Sequence, residues 1–141
     1  MNRSALQIAT AIVGLLLAVL AVLMLALGTG SPLYIQDDLA HQSIALDNQL
    51  RFAGGLVLTI ALVLFWHVIP RIERELTLYR VFWGMGFLGG VGRLISMVIV
   101  GPPPPSLFAL MVFELVGAPL FIYWQWRVAL QHGVVRRGAE G

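Results

Sequence analysis

The sequence contains no cysteine. That single absence removes disulfide scaffolds, thiol catalysis, iron–sulfur clusters and thiolate zinc sites together. Lysine is missing too, because all nine basic residues are arginine, so Schiff-base and lysine general-base mechanisms are closed. Charge of either sign is scarce: 11% of the 141 residues are charged, against about 25% in an ordinary soluble domain. A chain this poor in charge cannot wrap itself in water. It is equally unsuited to disorder, because disordered segments need low hydrophobicity and high net charge.

What is present is apolar. Hydrophobic residues make up 59% of the chain, and the mean hydropathy is +0.87. Four apolar stretches, roughly 8–27, 52–69, 81–100 and 106–126, each approach the ~20 residues that a helix needs to cross the hydrocarbon layer. Backbone groups in lipid must be paired internally, and no ten-residue alternation points to a barrel. The expected fold is therefore all-α: a polytopic four-helix transmembrane bundle forming a single domain over residues 1–141. The first stretch resembles a signal peptide in having Arg3 before it and, at its end, Ala26 and Gly28 as small residues before a cleavage site. Its apolar core is longer than the 7 to 15 residues of a signal peptide, which predicts retention as a helix. Thr10, Gly14 and Ala18 recur along it at four-residue intervals, a small-residue stripe against which another helix can close.

The arginines predict orientation. Arg3, Arg71, Arg74, Arg80, Arg127, Arg136 and Arg137 fall on one side of an alternating path and only Arg51 on the other, which places both termini in the cytoplasm. Trp66, Tyr79, Trp83, Tyr123, Trp124 and Trp126 collect at the same ends of the spans, where interfacial aromatic anchors belong. The pI near 9.7 fits retention by anionic lipid headgroups better than nucleic acid, since the arginines flank apolar spans instead of lining a basic face.

Two loops have character. The stretch from Gly28 to Arg51 holds Asp37, Asp38 and Asp47, and Leu39, Leu46 and Leu50 recur at near-helical spacing, so it reads either as a small lid helix or as a solvated loop. Gly101 and the four prolines from Pro102 to Pro105 cannot continue a helix and predict a stiff turn joining two antiparallel neighbours.

Two ionisable residues sit inside spans. Counting inward from Val100 and Ser106 at the helical rise places Arg93 and Glu114 at equal depth, about 10 to 12 Å below the boundary. An isolated charge there costs about 2.5 to 3.5 kcal/mol on insertion scales, so the two should pair. Gly86, Gly89 and Gly90 share the face of Arg93, with Gly86 and Gly90 forming a GxxxG pair, and Ser96 and Met97 continue that face outward. Pro119 leaves the carbonyl of Leu115 without its helical donor, close to Glu114. On the second span Asn48 and Arg51 precede Gly54 and Gly55 in the same pattern. Asn48, Arg51, Arg93, Ser96 and Glu114 are the candidate ligand-binding residues, a polar pocket of net charge about +1 for an anionic or amphiphilic lipid-like ligand. The competing reading makes Arg93 and Glu114 a clasp that fixes helix register, with Arg51 reaching to headgroups.

Nothing else carries chemistry. His41, His67 and His132 share no span or spacing, so no metal site is expected, and His67 beside Trp66 reads as an interfacial residue. No serine, histidine and acid fall at one depth, and the glycine run from Gly84 to Gly92 lies inside an apolar span with no strand before it. No cofactor is called for.

With these residues in place, a likeness can be given. The run from Asn48 to Gly55, the run from Gly89 to Ser96, Gly101 with Pro102 and Pro103, and Glu114, Leu115 and Pro119 together resemble the bacterial membrane family catalogued as domain of unknown function 4345. The likeness extends from the first span to Trp126. It implies a four-helix protein of the bacterial inner membrane and carries no activity with it. Helix count and size are also similar to those of DoxX-like proteins, by architecture alone. The function expected is non-enzymatic, with membrane lipids and a homo-oligomer or larger membrane complex as partners. The alternative is a small proton-coupled transporter or accessory subunit using Glu114, although here the acid lies on the last helix and faces an arginine at equal depth.

Overall fold

The computed structural model describes residues 2–31 and 44–134. Among these the regular structure is all helical. The order is α1 (Arg3–Leu27), a 3-10 turn (Gly28–Gly30), α2 (Ile44–Val63), α3 (Leu76–Ile99) and α4 (Pro105–Gln131). With their flanking turns these give four helices long and apolar enough to cross a membrane, Arg3–Gly30, Ile44–Arg71, Leu76–Ile99 and Pro105–Gln131, with mean hydropathies of 2.9, 2.2, 1.5 and 1.9 in their most apolar windows. Even α3, at 24 residues, is about 36 Å long at the helical rise, more than a hydrocarbon core requires.

All four helices extend beyond the apolar stretches that announce them. Polar residues at a span's end cost little at the headgroup level, so hydropathy underestimates the helix. The largest extension is at α2, which begins eight residues before Phe52 and takes in Asp47, Asn48 and Arg51. Leu46 and Leu50 therefore lie in the first turns of that membrane helix and not in a separate lid helix. Asp37, Asp38 and Leu39, the remainder of that expectation, and His41 lie outside the described residues.

The chain divides into two compact units, one of residues 7–70 and one of residues 1–6 with 71–141. The first holds most of α1 and all of α2 as an antiparallel pair. At one end Gln7 donates through Nε2 to the carbonyl of Ile69 at 2.8 Å. Midway, a Cβ placed on Gly14 would stand 3.0 Å from the Leu64 side chain and 3.2 Å from that of Phe65. Toward the other end Gly54 meets backbone: a Cβ there would lie 2.8 Å from the Leu25 nitrogen and 2.9 Å from the Ala21 oxygen. Thr10, Gly14 and Ala21 are all buried along this face of α1, the small residues allowing the backbone approach that lipid-immersed helices use in place of a hydrophobic drive. α2 ends through a wide π turn over Leu64–Val68 and a 3-10 turn over Ile69–Arg71. Pro70 cannot donate to the carbonyl of Trp66, and the widened turn accommodates the missing bond.

The second unit pairs α3 with α4, antiparallel across the turn that holds the prolines. α4 starts on the last of them, Pro105, at its first position, where a missing N–H costs nothing. Pro119 sits inside α4, which continues through it. The aromatic residues divide. Trp66 is 90% exposed, and Tyr123 and Trp126 also face outward, as anchors in a membrane interface would. Tyr79 and Trp83 do not fit that role: they are buried, and the Trp83 ring stacks on Phe121 with centroids 4.2 Å apart. Their place near the span's end is as anticipated, but packing between α3 and α4 outweighs the preference of these rings for headgroups. Gln125, fully buried, donates through Nε2 to the carbonyls of Ile72 and Glu75 at 2.8 and 3.2 Å and so pins the segment before α3 against α4.

Candidate functional site

The α3–α4 unit holds the ion pair deepest in a span. Gly90 makes room for it: a Cβ there would stand 3.0 Å from both the Glu114 Cβ and the Leu115 Cγ, so even a methyl group would require those side chains to give by a few tenths of an ångström. Gly89, one residue earlier, lies where a Cβ would be 4.0 Å from both carboxylate oxygens of Glu114. Gly86, the other member of the GxxxG pair, has no such close neighbour among the described residues. Across this gap the Arg93 Nε donates to Glu114 Oε2 at 3.0 Å. Arg93 lies six residues before the end of α3 and Glu114 nine after the start of α4, about 9 and 13 Å in at the helical rise.

This contact is incomplete in a specific way. Nε supplies the one hydrogen bond that the Arg93 guanidinium makes among the described residues, which leaves both terminal nitrogens without a protein acceptor there. On the acid, Oε1 accepts from no described residue. Arg93 is the more open partner, its side chain 39% exposed against 18% for Glu114. Ser96, one turn toward the end of α3, is exposed. The pair therefore presents donors from the arginine and an acceptor from the glutamate side by side in an apolar stretch of two helices.

Asn48 and Arg51 belong to the other unit. Asn48 is exposed near the start of α2. Arg51 is committed: Nε donates to Asp47 Oδ2 at 2.7 Å, and Nη1 donates to the carbonyls of Leu25 and Ala26, both at 2.9 Å. Those are carbonyls of the last turn of α1, which have no helical partner and which a cation satisfies both by hydrogen bonding and through the helix dipole. Asp47 also accepts the backbone N–H of Thr29 at 3.1 Å. The turn is closed by Gly28 at φ +55, where the chain leaves α1 in the left-handed region. Arg51 is thus not an unbalanced cation. The net charge of about +1 read from the sequence disappears once Asp47, assigned there to a loop, is found one helical turn before Arg51 on α2. The i,i+4 spacing of this acid and base was legible. What hid it was the position of the helix start.

Of the three histidines, His67 lies in the π turn of α2 and His132 just past α4. No cluster of three potential metal ligands occurs among the described residues.

The family model described as a domain of unknown function, DUF4345, matches residues 5–125, a stretch that includes the Asp47–Arg51 and Arg93–Glu114 pairs and reaches all four helices. The chain belongs to the DUF4345 family. With four apolar helices of spanning length, this DUF4345 member is a multi-pass membrane protein. No curated protein and no solved structure matches it. DUF4345 membership brings no activity, so the chemistry rests on the residues themselves.

Proposed function

We propose that this protein binds a lipid-like amphiphile at the Arg93–Glu114 pair and catalyses no reaction. The observation that carries the reading is the open edge of the pair: two guanidinium nitrogens and one carboxylate oxygen without partners among the described residues, set in an apolar part of α3 and α4. Unpaired polar groups in hydrocarbon cost several kcal/mol each, so the edge favours a ligand that completes it. With Glu114 balancing Arg93, the charge of the pair sums to zero. The polar group that fits is zwitterionic or mixed donor and acceptor, accepting from Arg93 and donating to Glu114, with Ser96 one turn away and acyl chains along the exposed apolar face. A purely anionic headgroup would leave Glu114 facing like charge. The setting proposed is the bacterial inner membrane with both termini cytoplasmic, on the distribution of arginines.

Native mass spectrometry after extraction from nanodiscs holding equal phosphatidylethanolamine and phosphatidylglycerol tests this. Wild type should retain the zwitterionic lipid, and the double variant Arg93→Leu/Glu114→Leu should release it. Identical retained lipids in the two proteins would end the proposal. Proton-coupled efflux in proteoliposomes that disappears in Glu114→Gln would replace it with transport.

A further inference from the structure

A second polar feature lies at the opposite end of the α3–α4 unit. A cleft of about 510 Å3 opens there, lined by Glu73, Arg74, His132, Gly133 and Val134, within the ~300–1,000 Å3 of small-molecule sites. Its charges are unevenly committed. Glu73, the acid among the described lining residues, is largely covered, and its Oε2 accepts from the Arg3 Nε at 2.8 Å, so its charge is balanced. The Arg74 guanidinium is exposed and forms no ion pair or hydrogen bond with a described residue. His132 has its Nδ1 2.9 Å from the Val128 carbonyl. A carbonyl only accepts, so Nδ1 carries the proton and Nε2 is the ring atom left for a ligand.

Arg74 and His132 are also held in place relative to one another. Arg74 lies between Ile72 and Glu75, whose carbonyls both receive the buried Gln125 amide, and Gln125 stands on α4 two turns before His132. A backbone bond from Arg74 N–H to the Arg71 carbonyl at 2.8 Å tightens the same segment. A cation and an imidazole nitrogen, both without a partner among the described residues, thus face one cleft across a fastened turn. Such an arrangement lowers the ordering cost of binding.

We propose that this cleft is a binding site for a phosphate-bearing anion, with Arg74 as the principal donor to the phosphate oxygens, His132 Nε2 as the second contact, accepting from a hydroxyl of the same ligand, and Gln125 as the positioning residue. The phosphate belongs either to a lipid headgroup or to a soluble phosphate compound. Guanidinium recognition of phosphate by paired N–H donors is the chemistry in both cases. The site shares no residue with Arg93 and Glu114, and its test is independent of theirs.

The chain has three histidines, so the ring signals of labelled histidine can be assigned by comparison with His132→Gln. Full-length protein is titrated in two ways: with inorganic phosphate in lipid-free detergent, and with phosphatidylglycerol added to phosphatidylcholine nanodiscs. The His132 signal should shift and saturate with at least one probe. Arg74→Gln should weaken that response at least roughly tenfold, the loss of a charge-assisted hydrogen bond, while Arg74→Lys recovers part of it. Arg93→Leu/Glu114→Leu should leave it unchanged. Response to free phosphate assigns a soluble ligand, and response to the lipid alone assigns a headgroup. A His132 signal that neither probe moves, or that moves equally in wild type and Arg74→Gln, overturns the proposal.

Discussion

Among the described residues each helix pair carries one arginine–carboxylate pair with both partners in its membrane-spanning helices, Asp47–Arg51 and Arg93–Glu114, and the two are built differently. Asp47 and Arg51 lie one turn apart on α2 and reach beyond each other to Thr29 and the last carbonyls of α1. Arg93 and Glu114 lie on different helices, meet through a single bond, and leave an edge open. The first arrangement is committed largely to the fold, where it closes a turn. The second needs something further, and a pair that does not satisfy itself is the better candidate for binding.

The largest effect that could break this contrast is the loss of one charge from the deep pair. Glu114→Leu leaves Arg93 uncompensated and should cost about 3–5 kcal/mol, whereas Arg93→Leu/Glu114→Leu should cost far less. Thermal unfolding in detergent of the two single variants and the double measures this, and additive losses would mean the pair is not coupled. Next come the glycines that allow the helices to meet. Gly54→Leu drives a side chain into the backbone of α1 and should destabilise by about 1–3 kcal/mol or more. Gly55→Leu, with no atom of the described structure within 4 Å of its Cβ position, should be neutral or slightly stabilising through helix propensity. Equal losses at the two positions would contradict the packing of α1 on α2. The smallest effect belongs to the Asp47–Arg51 pair. Arg51→Met should lower the melting temperature by roughly 2–4 °C, the scale of one lost helix cap in a chain of this length. The lipids retained in native mass spectrometry should be unchanged. A change in retained lipids with Arg51→Met, and none with Arg93→Leu/Glu114→Leu, would reverse the roles assigned to the two pairs.

Much of this architecture is legible without coordinates, and the reason is the solvent. A bilayer demands about 20 apolar residues per span and internal pairing of every backbone group, so composition alone yields four helices. The proline run reads directly as a turn because proline lacks an N–H. The stripe of Thr10, Gly14 and Ala18 reads as a close-packing face; the structure buries Thr10 and Gly14, with Leu64 and Phe65 against Gly14, and leaves Ala18 half-buried. Helix ends are less legible. Eight residues at the start of α2 are too polar to register as part of a span, and misplacing them turned Asp47 into a loop residue and Arg51 into a spare cation. Gln125 and the burial of Trp83 left no signal, because a glutamine bonded to two distant carbonyls and a tryptophan stacked between helices look, in sequence, like ordinary residues near a membrane surface.

By itself the sequence determined what each stretch of chain must do in lipid: span, turn or stop, and at what depth an ionisable group would lie. These are properties of single segments against a uniform solvent. Which charges are spent on the fold and which are left over was decided by tertiary structure, because a hydrogen bond depends on the separation of two groups that may be far apart in the chain. Arg51 and Arg93 look alike as letters. One reaches the carbonyls of a neighbouring helix end; the other meets a single carboxylate oxygen and leaves two nitrogens without a partner among the described residues.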